Sequence, residues 1–292
     1  MHNIKNFIFV ILMFIAATLG GAKAYIDHRL RTALETAIKS VADKVTIEYA
    51  DVSTSLLGSV IINNLHLTVP DYAPVHIDTA ILHKAYQLPQ HILITLKSVQ
   101  FSISDTAPPV PILMSALGYA PYYLSPRELR GLGYARINAD IDIEAKSNEK
   151  NKMSLSGLVN AYAWGELNLS LDLNNVPAFS TAAAPQQIQL AALSLTYTNK
   201  GLVNQVFTWL AQRNKMSLAH FKQALITKLK SDINQTRGML DATVLSSLQQ
   251  FIQTPQRLTI HLQPTPPIMI NALFYTSPKL LRLKMTSTKS LE

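Results

Sequence analysis

Apolar and polar residues alternate with a period of two through much of residues 45–197, and between residues 202 and 251 the period lengthens to that of a helix. In residues 45–52, Val45, Ile47 and Tyr49 oppose Thr46, Glu48 and Ala50. After a break at Leu57-Gly58-Ser59, Leu65, Leu67 and Val69 oppose Asn64, His66 and Thr68. The pattern predicts two strands and a turn, each strand with one buried face. Further strands are expected at residues 75–82 and 91–103. In the second, Ile92, Ile94 and Leu96 share a side with Val99, Phe101 and Ile103 only if the strand slips near Lys97-Ser98, as a bulge would make it do.

Pro108, Pro109, Pro111, Pro121 and Pro126 interrupt the alternation and predict a loop with a short helix inside. Alternation then returns in its strictest form. Ile137, Ala139, Ile141 and Ile143 face away from Asn138, Asp140, Asp142 and Glu144, and the pattern continues through residues 153–159 and 167–173 as an antiparallel sheet with one wet face. Another strand is expected at residues 188–197. Leu202, Val203, Val206, Phe207 and Leu210 then form one helical stripe. Ser217 is placed to cap a second helix with Leu218, Phe221, Leu225, Leu229 and Ile233 inward, and Asp241 a third with Leu245, Leu248 and Phe251 inward. Pro255 ends it. The chain closes with a strand at 258–262, a proline-rich turn, a short helix at 268–275 and a strand around 280–285.

The start of the chain has a different pattern. Residues 7–19 carry no charge, Lys5 precedes them, and Gly20-Gly21-Ala22-Lys23-Ala24 follows. Two readings stay open: a secretory signal cleaved after Ala24, or an uncleaved anchor continuing into an amphipathic stalk marked by Ile26, Leu30, Leu34, Ile38 and Val41. Both export the body. The expected layout is a signal or anchor at 1–24, a stalk helix at 25–44, an antiparallel sheet body at 45–185, and a strand–helices–strand region at 186–292 that completes the sheet. The fold class is α+β: an N-terminal membrane helix, a large mostly antiparallel sheet and a helical insertion in the last third.

Composition narrows the chemistry. The 292 residues include no cysteine, which excludes disulfides, thiolate catalysis and cysteine-held metals, and only 15% are charged, below the roughly 25% of ordinary soluble domains. Charge is uneven: residues 195–292 hold twelve Lys/Arg and three Asp/Glu, the rest fourteen and fifteen. In an envelope such a basic region faces anionic lipid rather than nucleic acid. Lys222, Lys228 and Lys230 define the basic helix face, and a solvated helix face is the better account of them.

The anchor, the helix after it and the stretch Ser55-Leu-Leu-Gly-Ser-Val-Ile-Ile-Asn-Asn-Leu-His-Leu67 together resemble the AsmA-like and YdgA-like group of bacterial envelope proteins. Thr196-Tyr-Thr-Asn-Lys-Gly-Leu-Val203 and Thr254-Pro-Gln-Arg-Leu-Thr-Ile-His-Leu-Gln-Pro264 look like elements that recur there. The resemblance implies a curved antiparallel sheet with an apolar concave side in the periplasm and a part in envelope biogenesis or lipid handling. It implies no catalytic residues.

No nucleophile elbow, His-Glu-x-x-His, phosphate loop or dinucleotide fingerprint occurs. Ser147-Asn-Glu-Lys150 matches Ser-x-x-Lys but falls in a polar turn without Lys-Thr-Gly. His66, His76, His83 and His91 lie in separate β elements without ligand spacing and read as scattered surface histidines, so neither a metal nor a cofactor is expected. Asp140, Asp142 and Glu144 lack the calcium loop that would recruit them. The expectation is a non-catalytic inner-membrane protein with its body in the periplasm, or a soluble periplasmic one after cleavage at Ala24. It binds or shields lipid, or supports envelope assembly, through an apolar face marked by Leu65, Leu67, Ile141 and Ile143. The alternative is a structural subunit of an envelope or secretion complex; the partner is then an envelope protein rather than membrane lipid.

Overall fold

The computed structural model describes residues 44–55, 58–70, 72–88, 90–105, 109–112, 122–149, 151–176, 187–235, 241–273 and 275–288, with residues 35, 38, 39 and 42 as isolated positions. The predicted signal or anchor lies outside the described residues, as does most of the stalk; residues 35, 38 and 39 are helical. Among the described residues no helix is long and apolar enough to cross a membrane. The chain divides into two compact units, Met1–Ser104 with Arg136–Lys146, and Asp105–Ala135 with Ser147–Glu292.

The first unit contains β1 (Thr46–Glu48), β2 (Asp51–Thr54), β3 (Val60–Thr68), β4 (Val75–His83), β5 (His91–Ser102) and most of β8 (Arg136–Glu149). Alternation predicts one strand over residues 45–52; the structure breaks it at Tyr49-Ala50. The reason is a crease that runs across the neighbouring strands. Opposite the break sits Asn64, with φ of 52°; in register with Asn64 comes Asp78, and in register with Asp78 comes Ser98, with φ of 51°. Each strand carries one extra residue there, so the buried positions jump from Ile62 to Leu65, from Ala80 to Ile77 and from Leu96 to Val99, an odd step in every case. Because the extra residues are aligned, the ladders between β3, β4 and β5 stay in register. The mismatch is discharged only against β8, where the register shifts between Leu96 and Val99 and the Ser98 N–H donates to Asp140 Oδ1 at 2.9 Å. The slip expected at Lys97-Ser98 is therefore the last member of a row of bulges.

The second unit holds a two-stranded ladder of β6 (Val110–Ile112) and β7 (Tyr122–Leu124), then α1 (Pro126–Gly131). Ser125 caps α1 through a capping box with Glu128, whose carboxylate also takes the Arg213 guanidinium at 3.1 Å. β9 (Lys152–Ala161), β10 (Gly165–Asn174) and β11 (Gln189–Asn199) form a meander, followed by α2 (Leu202–Arg213), α3 (Leu218–Gln235), α4 (Ala242–Gln253) and then β12 (Arg257–Leu262), β13 (Ile268–Met269) and β14 (Lys284–Thr288). The strand order is β1-β3-β4-β5-β8-β9-β10-β11-β12-β14, with β2 beside β3 and β13 beside β11. The fold is thus β-rich, one large antiparallel sheet with a few helices.

The helices follow the sequence at their caps but not everywhere on their buried faces. Ser217 and Asp241 cap α3 and α4 as expected, through His220 N at 3.3 Å and Thr243 N at 3.0 Å. Phe221, Leu225 and Leu229 are buried, but Leu218, expected inward, is exposed. In α4 the fully buried stripe is Val244, Ser247 and Ile252, while Leu245, Leu248 and Phe251 are only half-buried. Ser247 is buried because its hydroxyl donates to the Met285 carbonyl of β14 at 2.8 Å, a satisfied polar contact that hydropathy alone does not reveal. The short helix expected at 268–275 is the strand β13 and a single 3-10 turn at Ile270–Ala272, and the last strand starts at Lys284 rather than Leu280. Residues 277–283 instead form turns, in which the Leu281 carbonyl accepts from Gln263 N–H at 3.0 Å and Arg282 takes φ of 50°.

Candidate functional site

The four residues that mark the predicted apolar face come together. Leu67, Val75, Phe101 and Ile137 form one cross-strand row; Leu65, Ile77, Val99 and Ala139 form the next; then come Ile62, Ala80, Leu96 and Ile141, and finally Val60, Leu82, Ile94 and Ile143. Leu65, Leu67, Ile141 and Ile143 therefore stand in four successive rows on one side of the first unit's sheet. Leu65, Leu67 and Ile141 are 1%, 3% and 8% exposed, and Ile143 is half-buried. The first three are core side chains.

A second apolar face, which sequence reasoning missed as a site, is more open. In the second unit Val159, Leu167, Tyr197 and Leu258 share a row; Gly157, Leu169, Leu195 and Ile260 share the next; Leu155, Leu171, Leu193 and Leu262 share a third. Leu167 is 37% exposed and the other eleven are half-buried. The opposite side is polar, with Ser154 bonded to Asp172 at 2.9 Å and Thr196 to Thr259 at 3.0 Å. Tyr197 closes one end of the apolar rows. Its ring meets Phe251 of α4 edge-on at 6.3 Å and its hydroxyl donates to the Trp164 carbonyl at 2.8 Å; burial, with the Tyr134 charge a smaller cause, pushes its pKa up to about 12. The signal for this face was present in the Leu167, Leu169, Leu171, Leu173 alternation, which is as regular as that of β3.

The three predicted basic residues occupy different environments on α3. The half-buried Lys222 ammonium donates to the Gln253 carbonyl at the end of α4 at 2.8 Å, where it satisfies an orphan carbonyl, and burial lowers its pKa. Lys228 is half-buried, and Lys230 is exposed.

The other side of the first unit's sheet is a polar network. His83 Nε2 lies 3.0 Å from Thr95 Oγ1, which donates to Asp142 Oδ1 at 2.6 Å; His91 Nε2 lies 2.8 Å from Glu144 Oε1, which also takes Lys146 Nζ at 2.7 Å; Lys97 lies 3.6 Å from Asp140. Asp140, Asp142 and Glu144 are thus the wet-face carboxylates that alternation indicates, each with a partner. The Lys146 hydrogen bond, followed by that of His91, holds the Glu144 carboxyl below its usual pKa. A carboxylate depressed in the folded state contributes stability above its unfolded pKa and loses it as pH falls through the folded one. The Glu144→Gln variant is accordingly expected to lose less stability than wild type as the pH falls below the ordinary glutamate pKa of about 4.3, as followed by hydrogen exchange of β5 and β8 amides; equal acid sensitivity in the two chains would refute the assignment.

His66 and His76, which the sequence places in separate strands, are direct cross-strand partners in β3 and β4. His66 Nε2 is 3.1 Å from His76 Nδ1, the ring centroids are 4.3 Å apart, and His76 Nε2 is 2.7 Å from Asp78 Oδ1. The pairing follows from register: Leu67 pairs with Val75, so His66, one residue before, faces His76, one residue after.

A family model described only as "Uncharacterized protein" matches residues 159–288, a stretch that takes in the end of β9, the half-open apolar rows of β10–β12, the three long helices and β14. No curated protein matches the chain, and no solved structure does.

Proposed function

We propose that this chain is a membrane-anchored bacterial envelope protein, with its body in the periplasm, and that it binds or shields lipid on the apolar face of β9–β12. The observation that carries the reading is that face: three rows of mostly large apolar side chains, half-buried in the second unit, backed by a polar side that has no need of cover. An acyl chain is the simplest occupant of a surface that is apolar over several rows and lacks convergent polar groups. The cationic Lys230 on α3 in the same unit suits an anionic headgroup. The uncharged segment at 7–19 supplies the membrane address, and the AsmA-like and YdgA-like resemblance points to the same compartment and to lipid handling without catalysis.

Mass spectrometry of the full chain extracted from its own membranes tests this. Phospholipid is expected to co-purify with the wild type, to fall several-fold with Leu169→Glu on the apolar face, and to be unchanged with Ser170→Glu on the opposite face. Equal lipid loads in all three would refute the proposal, and a stoichiometric protein partner in place of lipid would assign the face to an assembly.

A further inference from the structure

We propose that His66 and His76 form a two-nitrogen site for a divalent transition-metal ion of the zinc and copper class, with Asp78 as the carboxylate that orients His76. Asp78 Oδ1 lies 2.7 Å from His76 Nε2, and an ionised carboxylate only accepts, so Nε2 carries the ring proton and Nδ1 carries the lone pair. That lone pair faces His66 Nε2 at 3.1 Å. Two imidazole nitrogens bound to one tetrahedral zinc at its usual ~2.0–2.1 Å bond length stand about 3.3 Å apart, and closer when the angle between them narrows towards 90°. The observed separation lies within that range. A ligating histidine that hands its other ring N–H to a carboxylate is also the usual outer-shell arrangement of a metal site.

The fold supplies the geometry. His66 and His76 are cross-strand partners on the polar side of the sheet, and Asp78, two residues beyond His76, falls on that same side by the alternation of β4. His66 is exposed and the His76 side chain is 29% exposed, which leaves the pair open to an ion from solvent. Glu48 stands directly opposite His66 on β1 and adds a carboxylate to the same row. Among the described residues no group of three or more His, Asp or Glu side chains is placed to hold a metal, so water completes the coordination. Imidazole nitrogens with water suit zinc and copper better than magnesium or calcium.

Zinc titration of the tag-free full chain by calorimetry provides the test. A one-to-one event is expected in the wild type, abolished by His66→Ala and by His76→Ala, weakened about 10- to 100-fold by Asp78→Asn, and unaltered by His220→Ala on α3. In the unsubstituted chain zinc should also shift the ring-nitrogen resonances of two histidines and leave the other six in place. An undiminished event in either His→Ala variant, or no event in the wild type, would mean that the two rings share only a hydrogen bond; wild-type affinity in Asp78→Asn would remove the orienting role.

Discussion

Alanine at Gly165 is expected to destabilise the second unit by about 2–4 kcal/mol, the sum of backbone strain and overpacking at one position. Gly165 begins β10 with φ of 150°, a conformation that L side chains rarely adopt, and a Cβ there would stand 2.5 Å from the Tyr197 ring and 2.7 Å from the Thr198 carbonyl oxygen. Neither neighbour yields cheaply. The carbonyl belongs to the β11 backbone, and the ring is fixed at its far end by the bond from its hydroxyl to the Trp164 carbonyl. Both tryptophans, Trp164 and Trp209, lie in the second unit, so fluorescence-detected urea unfolding reports on it alone. The midpoint should fall with little change in slope. Gly133→Ala serves as the contrast: φ is 90°, but nothing lies within 4 Å of the added Cβ, so only the left-handed strain of about 1–2 kcal/mol remains. Equal midpoints for the two variants would show that the Tyr197 contact costs nothing.

Leu65→Ala should cost about 3 kcal/mol, in the range that large-to-small substitutions produce when the surroundings cannot collapse into the space. Leu65 is 1% exposed and its row mates Ile77 and Val99 are 2% and 0% exposed, so the lost methyl groups leave a void walled by strands whose spacing is set by hydrogen bonds. The effect belongs to the first unit, where tryptophan is absent, and hydrogen exchange of the β3–β5 amides is the suitable probe. Leu167→Ala, at a site 37% exposed, should lose well under half as much. If the two leucines cost the same, the distinction between a closed face in the first unit and a half-open one in the second fails.

Alternation made the strands legible because each has one side that needs burying, and it located β3, β4, β5 and β8–β11 to within a few residues. The same signal is silent about what lies over each apolar side. Leu65 and Leu167 sit in patterns of equal regularity, yet the first is core and the second is half open; of the residues chosen from sequence to mark a lipid- or partner-facing apolar face, Leu65, Leu67 and Ile141 are buried and Ile143 is half-buried. Local chemistry was legible wherever one side chain satisfies one backbone group, as at Ser217 and Asp241. It was illegible where the partner is distant in sequence: Ser247 meets Met285, Lys222 meets Gln253, and His66 meets His76 across a turn. The Tyr49-Ala50 break was missed because its cause is a conformation at Asn64 in the next strand.

The crease across β3, β4 and β5 also constrains how this part of the chain can change in length. Removing Asn64 alone would turn one end of β3 inside out, exchanging leucines for histidine and threonine, and removing Asp78 or Ser98 alone would do the same to its own strand. Only a coordinated loss at the break between β1 and β2 and at all three aligned positions returns every side chain to its proper side. A single-residue insertion or deletion in any one of these strands therefore sets its side chains against those of its neighbours unless the neighbours change with it.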